Sequence, residues 1–349
     1  MRFFFLLSIV SFLFFTCENT NTINSSILPS NIGGSDEVMI VVNDEFLNDD
    51  LIKSIKKNMV DYYKILPQSQ ARFLISTVKF SKVNYLLERF INPIYVVTKN
   101  EKSEIATLVS QILNEEDKKE LKSGKSIFYK KNIWAREQSV IIIVAENEKD
   151  ILTSLIKHKE EINNHFDDTN LKFFKKIAYI DGVNQSLKKQ LKEYHNIDFD
   201  IPSGYVLAEN KDNYILLRKD DAKVTLFLTF DLNKYNDTIP INNLGIEKFN
   251  KLGKLINGEG AKSFVVADTT LGFVKKQIQK GKVTIFENGG LWVMENDFVG
   301  GGPFINQYII DNKNNRVIYL SGMIYGPQER KKKKYMRQFE AIFNTLEIE

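Results

Sequence analysis

The chain has 349 residues, with 48 Lys and Arg against 44 Asp and Glu. This near balance leaves no global field to draw nucleic acid and excludes it as a partner. A hydrophobic share of 43% with 12% aromatics supplies a real core and excludes a disordered chain.

The predicted elements begin with a targeting segment. Arg2 follows the initiator methionine, and residues 3–15 are apolar apart from Ser8 and Ser11, the pattern of a secretory signal. The run is too short to cross hydrocarbon, which takes about 20 apolar residues. It is apolar on every face, so it is not an amphipathic core helix either. Cys17 stands where such a signal is cut and is the only cysteine, so the mature protein must be stable on packing without an internal disulfide. This arrangement resembles the lipobox of bacterial lipoproteins. The resemblance implies that residues 1–16 are removed and that the Cys17 thiol carries lipid, making the membrane a partner through the N-terminus. Burial of several acyl chains at about 0.8 kcal/mol per methylene makes such an anchor stable. Residues 17–36 are rich in Asn, Ser, Thr and Gly and read as a flexible tether.

Residues 37–200 read as an N-terminal α/β layer domain. A strand is expected at 38–42 and a helix at 46–66, where Leu47, Leu51, Ile55, Met59 and Tyr62 recur at helical spacing before Pro67. A strand at 73–80, a short helix at 83–90, a strand at 94–98 and a helix at 101–121 follow. Residues 126–131 and 139–144 read as a hairpin around 132–138. A helix at 150–166 and a weaker helical pair reaching His195 complete the alternation of strand and helix.

Turn residues cluster at 198–204, and residues 201–349 read as an antiparallel sheet with a packed C-terminal helix. Strands are expected at 205–209, 214–218, 225–231, 263–268, 283–287, 290–295, 306–311 and 316–325, with a helix at 246–255. In the last helix Tyr335, Phe339, Ile342, Phe343 and Leu346 line one face. The class is α+β, or mixed α/β.

No spacing carries recognisable chemistry. His158, His165 and His195 form no metal pattern, and no cofactor motif is present. Ser54 and Lys57 match SxxK, but the serine falls inside a predicted helix in a chain rich in both residue types. Gly300, Gly301, Gly302 and Pro303 read first as a tight turn or bulge. The four lysines at 331–334, preceded by Arg330, read first as a solvated loop and first helical turn, with acidic headgroups as the alternative partner.

The C-terminal block holds Gly-Leu-Trp at 290–292, Gly-Gly-Pro-Phe at 301–304 and Tyr-Met-Arg-Gln-Phe-Glu-Ala-Ile at 335–342. With residues 132–145 and 198–218 it resembles the Bacteroidota lipoproteins known as domain-of-unknown-function family 4837. The resemblance implies an envelope lipoprotein, on the outer membrane with its face unassigned, and implies no activity. The expected function is therefore a non-enzymatic binding or scaffolding module with an unidentified envelope protein or ligand as partner. An enzyme whose site is invisible as a motif is the alternative. Candidate partner-binding residues are Trp134, Arg136, Gln138, Trp292, Gly301, Gly302, Pro303, Phe304, Tyr325 and Arg337, because Trp and Arg dominate recognition hot spots and glycines admit a close backbone.

Overall fold

The computed structural model describes residues 27–348 except 212, 235–243, 259, 261, 282 and 297–299. The signal segment and Cys17 lie outside the described residues. Among those described, no helix is long and apolar enough to cross a membrane.

The N-terminal half is built from β1 (Glu37–Val42), α1 (Asp49–Met59), β2 (Leu74–Lys79), α2 (Tyr85–Glu88), β3 (Pro93–Thr98), α3 (Glu104–Ile112), α4 (Glu115–Lys122), β4 (Ile127–Lys131), β5 (Ser139–Ala145), α5 (Ile151–Lys157) and α6 (Lys159–Ala178). Its sheet runs β2-β1-β3-β5-β4, parallel except for β4 at the edge. Successive residues of a strand point to opposite faces, and here both sets are buried. Val38, Ile40, Ile94, Val96, Ile141 and Ile143 pack with Ile55 of α1, Leu155 of α5 and Phe166 of α6. Met39, Val41, Tyr95, Val97, Ile142 and Val144 pack with Ile105 and Val109 of α3. Helices on both faces explain why β1, β3 and β5 are continuous apolar runs.

The C-terminal half contains α7 (Gln185–His195), β6 (Val206–Lys211), β7 (Tyr214–Asp221), β8 (Val224–Lys234), α8 (Leu244–Gly253), β9 (Phe264–Asp268), β10 (Val274–Lys280), β11 (Val283–Glu295), β12 (Gly301–Asp311), β13 (Arg316–Tyr325) and α9 (Lys333–Phe343). The antiparallel sheet runs β10-β11-β12-β13-β8-β7-β6, with β9 on the far half of β11. One face carries Leu217, Leu228, Phe230, Ile305, Ile318 and Leu320 beneath Leu191 of α7 and Met336, Phe339 and Phe343 of α9. On the other, Phe249 of α8 packs with Trp292, Phe304 and Met323, and Leu252 with Tyr308 and Tyr319. The fold is α+β, as expected.

Several expectations about single elements change, each for a local reason. The helix expected at 46–66 ends at Met59, where Val60 turns extended. Residues beyond it cross to the other half, where Ile65 joins the C-terminal core. Gly289 makes room: a Cβ there would lie 2.4 Å from Ile65 Cδ1. The helix expected at 101–121 is two, because the Asn114 side chain and Asp117 form a capping box that starts α4. The strand β10, rich in Lys and Gln, was not expected; it pairs at the sheet edge, where polar residues are tolerated. Residues 283–287 and 290–295 are one long strand, β11. Ala178 at the end of α6, α7, and Ile197, Phe199 and Ile201 all bury in the C-terminal core, although all but Ile201 precede residue 201.

The last part of the expected tether is docked. Ser30 pairs with Arg136 and Ile32 with Phe90 in isolated bridges, Ser35 is buried, and Arg89 and Asn92 donate to the carbonyls of Ser30 and Ser35. These bonds fill backbone groups that a free tether would leave to water.

A buried polar network joins the halves through α6 and α9. Arg337 is 6% exposed. It donates from Nε to Asn170 Oδ1 (2.8 Å), from Nη2 to Asp167 (3.2 Å) and from Nη1 to Glu340. Tyr63 donates to Glu340, and Arg72 binds the other oxygen of Asp167. Burial opposes the charge on Arg337, but the Glu340 and Asp167 carboxylates outweigh it and raise its pKa. Lys333 reaches Asp36 (2.7 Å) and the carbonyl of Ala71 (2.6 Å). Two of the four clustered lysines, Lys332 and Lys333, are buried, whereas Lys331 and Lys334 are exposed, Lys334 pairing with Glu329.

Two expected outcomes follow from this network. Arg337→Ala leaves the partly buried Glu340 without its cation and Asp167 with Arg72 alone, and should lower stability by about 3 kcal/mol in chemical denaturation; an unchanged midpoint would refute the clamp. Glu287 accepts from Gln307 (2.9 Å), and burial, reinforced by Glu340, raises its pKa above the ordinary 4.5. The folded chain thus holds this proton more tightly than the unfolded chain. Its contribution is complete below the ordinary carboxylate pKa and is lost as pH rises through the raised value. Glu287→Gln should remove that decline; an identical stability–pH curve for the variant sinks the assignment.

Candidate functional site

An open groove of about 1340 Å³ lies between the 132–138 loop and the C-terminal part of α6. Its shape begins with two non-glycine residues in the left-handed region, Asn132 (φ 54°) and Glu137 (φ 58°). They fold the loop back so that the backbone N–H of Asn132 meets the carbonyl of Gln138 (3.0 Å). Gln138 is buried and pins this loop: its amide donates to the carbonyls of Glu88 (2.6 Å) and Phe90 (2.8 Å), and its oxygen accepts from the N–H of Trp134 (3.0 Å). The half-buried Trp134 ring rests on Tyr95, centroids 5.5 Å apart. Residues 30, 31 and 33 line the groove, as do Thr169, Lys172, Phe173, Lys175 and Lys176 of α6.

The lining is cationic. Lys131, Arg136, Lys172, Lys175 and Lys176 face the groove, against the carboxylates of Glu137 and Asp200. Lys176 pairs with Glu137, and Arg136 reaches Ser30 Oγ (3.0 Å). Among the described residues Lys172 and Lys175 have no ion-pair partner. Ser139 forms part of the lining, and its Oγ lies 2.6 Å from His165 Nε2. The His165 ring packs on Tyr129 (4.5 Å). Burial, helped by the Lys131 charge, lowers the His165 pKa and favours neutral imidazole.

A second constellation lies beside it. Ser126 Oγ is 3.0 Å from His158 Nε2, and His158 Nδ1 is 3.0 Å from Glu161 Oε2. Tyr129 donates to the remaining oxygen of Glu161. A hydroxyl, an imidazole and a carboxylate joined through the two ring nitrogens is the order used by nucleophilic hydrolases. No sequence spacing announces it, because Ser126 precedes β4 while His158 and Glu161 sit at the start of α6.

The candidate partner-binding residues do not converge. Trp134, Arg136 and Gln138 share one loop, and of these only Arg136 is exposed in the groove. Trp292 is 2% exposed and donates to the carbonyl of Ile324 (3.1 Å). Phe304 is fully buried, stacked on Phe249 at 4.1 Å. These two are core residues and present no surface to a partner. Gly301, Gly302 and Pro303 open β12 and form no turn. A Cβ on Gly302 would lie 2.0 Å from the Ile324 carbonyl, so the close approach is made by the neighbouring strand of the same sheet. Tyr325 lies 6.1 Å from Trp292 at that sheet's end, and Arg337 is the clamp between the halves. Conversely, Lys172, Lys175, Ser126, His158 and Glu161 were missed as candidates. The exposed lysines of α6 carry a signal only once the groove is known.

Two family models match the chain: residues 184–345 match Domain of unknown function (DUF4837), and residues 31–179 match Domain of unknown function (DUF8532). The first of these matches fits the family resemblance of the C-terminal block. No curated protein matches it in sequence. Among solved structures it is similar to cyanobacterial PsbP from Synechocystis, at 9% identity and a TM-score of 0.30 over 44% of this chain and 86% of that one. It is also similar to the Ran-binding protein Mog1p of Saccharomyces cerevisiae, at 11% identity and 0.26 over 43% and 84%. Scores this low carry no argument about fold or function.

Proposed function

We propose that the protein is a lipid-anchored lipoprotein of a bacterial envelope and acts as a binding module whose ligand site is the cationic groove. The observation that carries this reading is the position of the groove. It is lined by Ser30, Asn31 and Gly33, in the stretch through which the chain leaves toward Cys17. The excess of cations over carboxylates suits an acidic ligand. The family resemblance supports a Bacteroidota source and the outer membrane. Labelled palmitate should enter the wild-type chain and be absent from Cys17→Ser. Crosslinking in the native cell should capture an envelope partner that Arg136→Glu loses, while thermal unfolding of this exposed-site variant stays unchanged. Palmitate missing from the wild type would refute the anchor; capture undiminished in Arg136→Glu would refute the groove as the site.

The Ser126, His158 and Glu161 geometry favours a second reading, acyl-ester hydrolysis. Ser126 Oγ would bond to the ester carbonyl carbon as its proton passes to His158 Nε2. Collapse of the tetrahedral adduct would break the bond to the leaving oxygen, which takes that proton, and water would then release the acyl group by the same steps. A fluorophosphonate probe should label Ser126, with no labelling in Ser126→Ala or His158→Gln. If mass spectrometry finds no adduct on the wild type, the enzymatic reading fails.

A further inference from the structure

The C-terminal end of α6 carries a surface that neither half of the protein covers. Phe173 and Ile177, one turn apart in α6, share a face of the helix, and Ile180 follows in the turn just beyond its end; they are 40%, 36% and 78% exposed. Lys172, Lys175 and Lys176 flank the stripe and are exposed as well. An apolar ridge bordered by lysines is what an interfacial helix presents to a bilayer: the ridge enters the boundary between headgroups and chains while the cations meet lipid phosphates.

Chain length argues for the same side of the molecule. Ser30, which lines the same groove as Lys172, lies 13 residues from Cys17. A chain of that length spans at most about 45 Å, whereas a compact body of this size is roughly 50 Å across. A surface on the side of residue 30 is therefore held closest to the bilayer, and the far side is held away.

We infer that this face of α6 docks on the acidic headgroups of the membrane that carries the lipid anchor, so that the groove opens at headgroup level. The inference rests on the anchored reading proposed above, and its test separates the two. The probe is the mature chain from residue 17 bearing Cys17→Ser, offered vesicles of phosphatidylcholine alone or of equimolar phosphatidylcholine and phosphatidylglycerol. It should sediment with the acidic vesicles only, and less so as salt rises. Reversing two lysines in Lys172→Glu/Lys175→Glu should weaken binding roughly ten-fold or more. Ile180→Asp, at a site 78% exposed, should weaken it with unfolding unchanged. Amide exchange on the unsubstituted chain should slow across residues 172–182 on acidic vesicles, a readout that needs no variant. Absence of binding to acidic vesicles, or equal binding by the lysine double variant, overturns the proposal. Self-association that depends on Ile180 without vesicle binding would instead assign the face to a second copy and overturn it too. Loss of palmitate labelling with vesicle binding retained would sink the anchor and leave the docking face standing.

Discussion

Arg337 sits where the two halves of this protein meet, and its guanidinium is committed in three directions at once. It bonds Asn170 and Asp167 of α6 and Glu340 of its own helix. A buried cation is costly unless every donor finds an acceptor, so this arrangement holds only when α6 and α9 lie at one separation. The neighbours extend the same constraint: Arg72 shares Asp167, Tyr63 shares Glu340, Asn170 holds Ser35, and Lys333 holds Asp36. Ile65 adds an apolar peg, seated where Gly289 has no side chain. The halves are thus tied by directional polar bonds with a modest hydrophobic contribution, which sets their register more than it adds to their cohesion.

That tie also governs the groove. It is lined by the C-terminal part of α6, the helix gripped by Arg337, and by the docked residues Ser30, Asn31 and Gly33. Ser35 and Asp36, two to six residues further on, are held by the network itself. Moving α9 relative to α6 would shift both parts of the lining together. The site's shape therefore depends on a residue that does not touch it, and the same is true of the α6 ridge beside it.

Where local chemistry decides the outcome, the sequence was legible. The alternating and continuous apolar runs placed most strands, because burial on one or both faces writes its period into the chain. The C-terminal helix was legible for the same reason: Tyr335, Phe339, Ile342 and Phe343 all enter one core. The strand β10 was not, since an edge strand needs no apolar pattern. The break between α3 and α4 has a local signal, since residues 114–120 are all polar and Asn114 and Asp117 carry the cap.

The candidate site divides differently. The sequence by itself determined the cationic and aromatic stock, the lone cysteine at the end of an apolar leader and the class of the fold, all of which depend on composition and local order. Only the tertiary structure decided which residues work together. It took Trp292, Phe304 and Arg337 into the interior, spent Lys332 and Lys333 on internal bonds, and left Phe173, Ile177 and Ile180 facing outward. It also brought Ser126 to His158 across 32 positions. Exposure and convergence are properties of packing between distant segments, and no single stretch of chain encodes them.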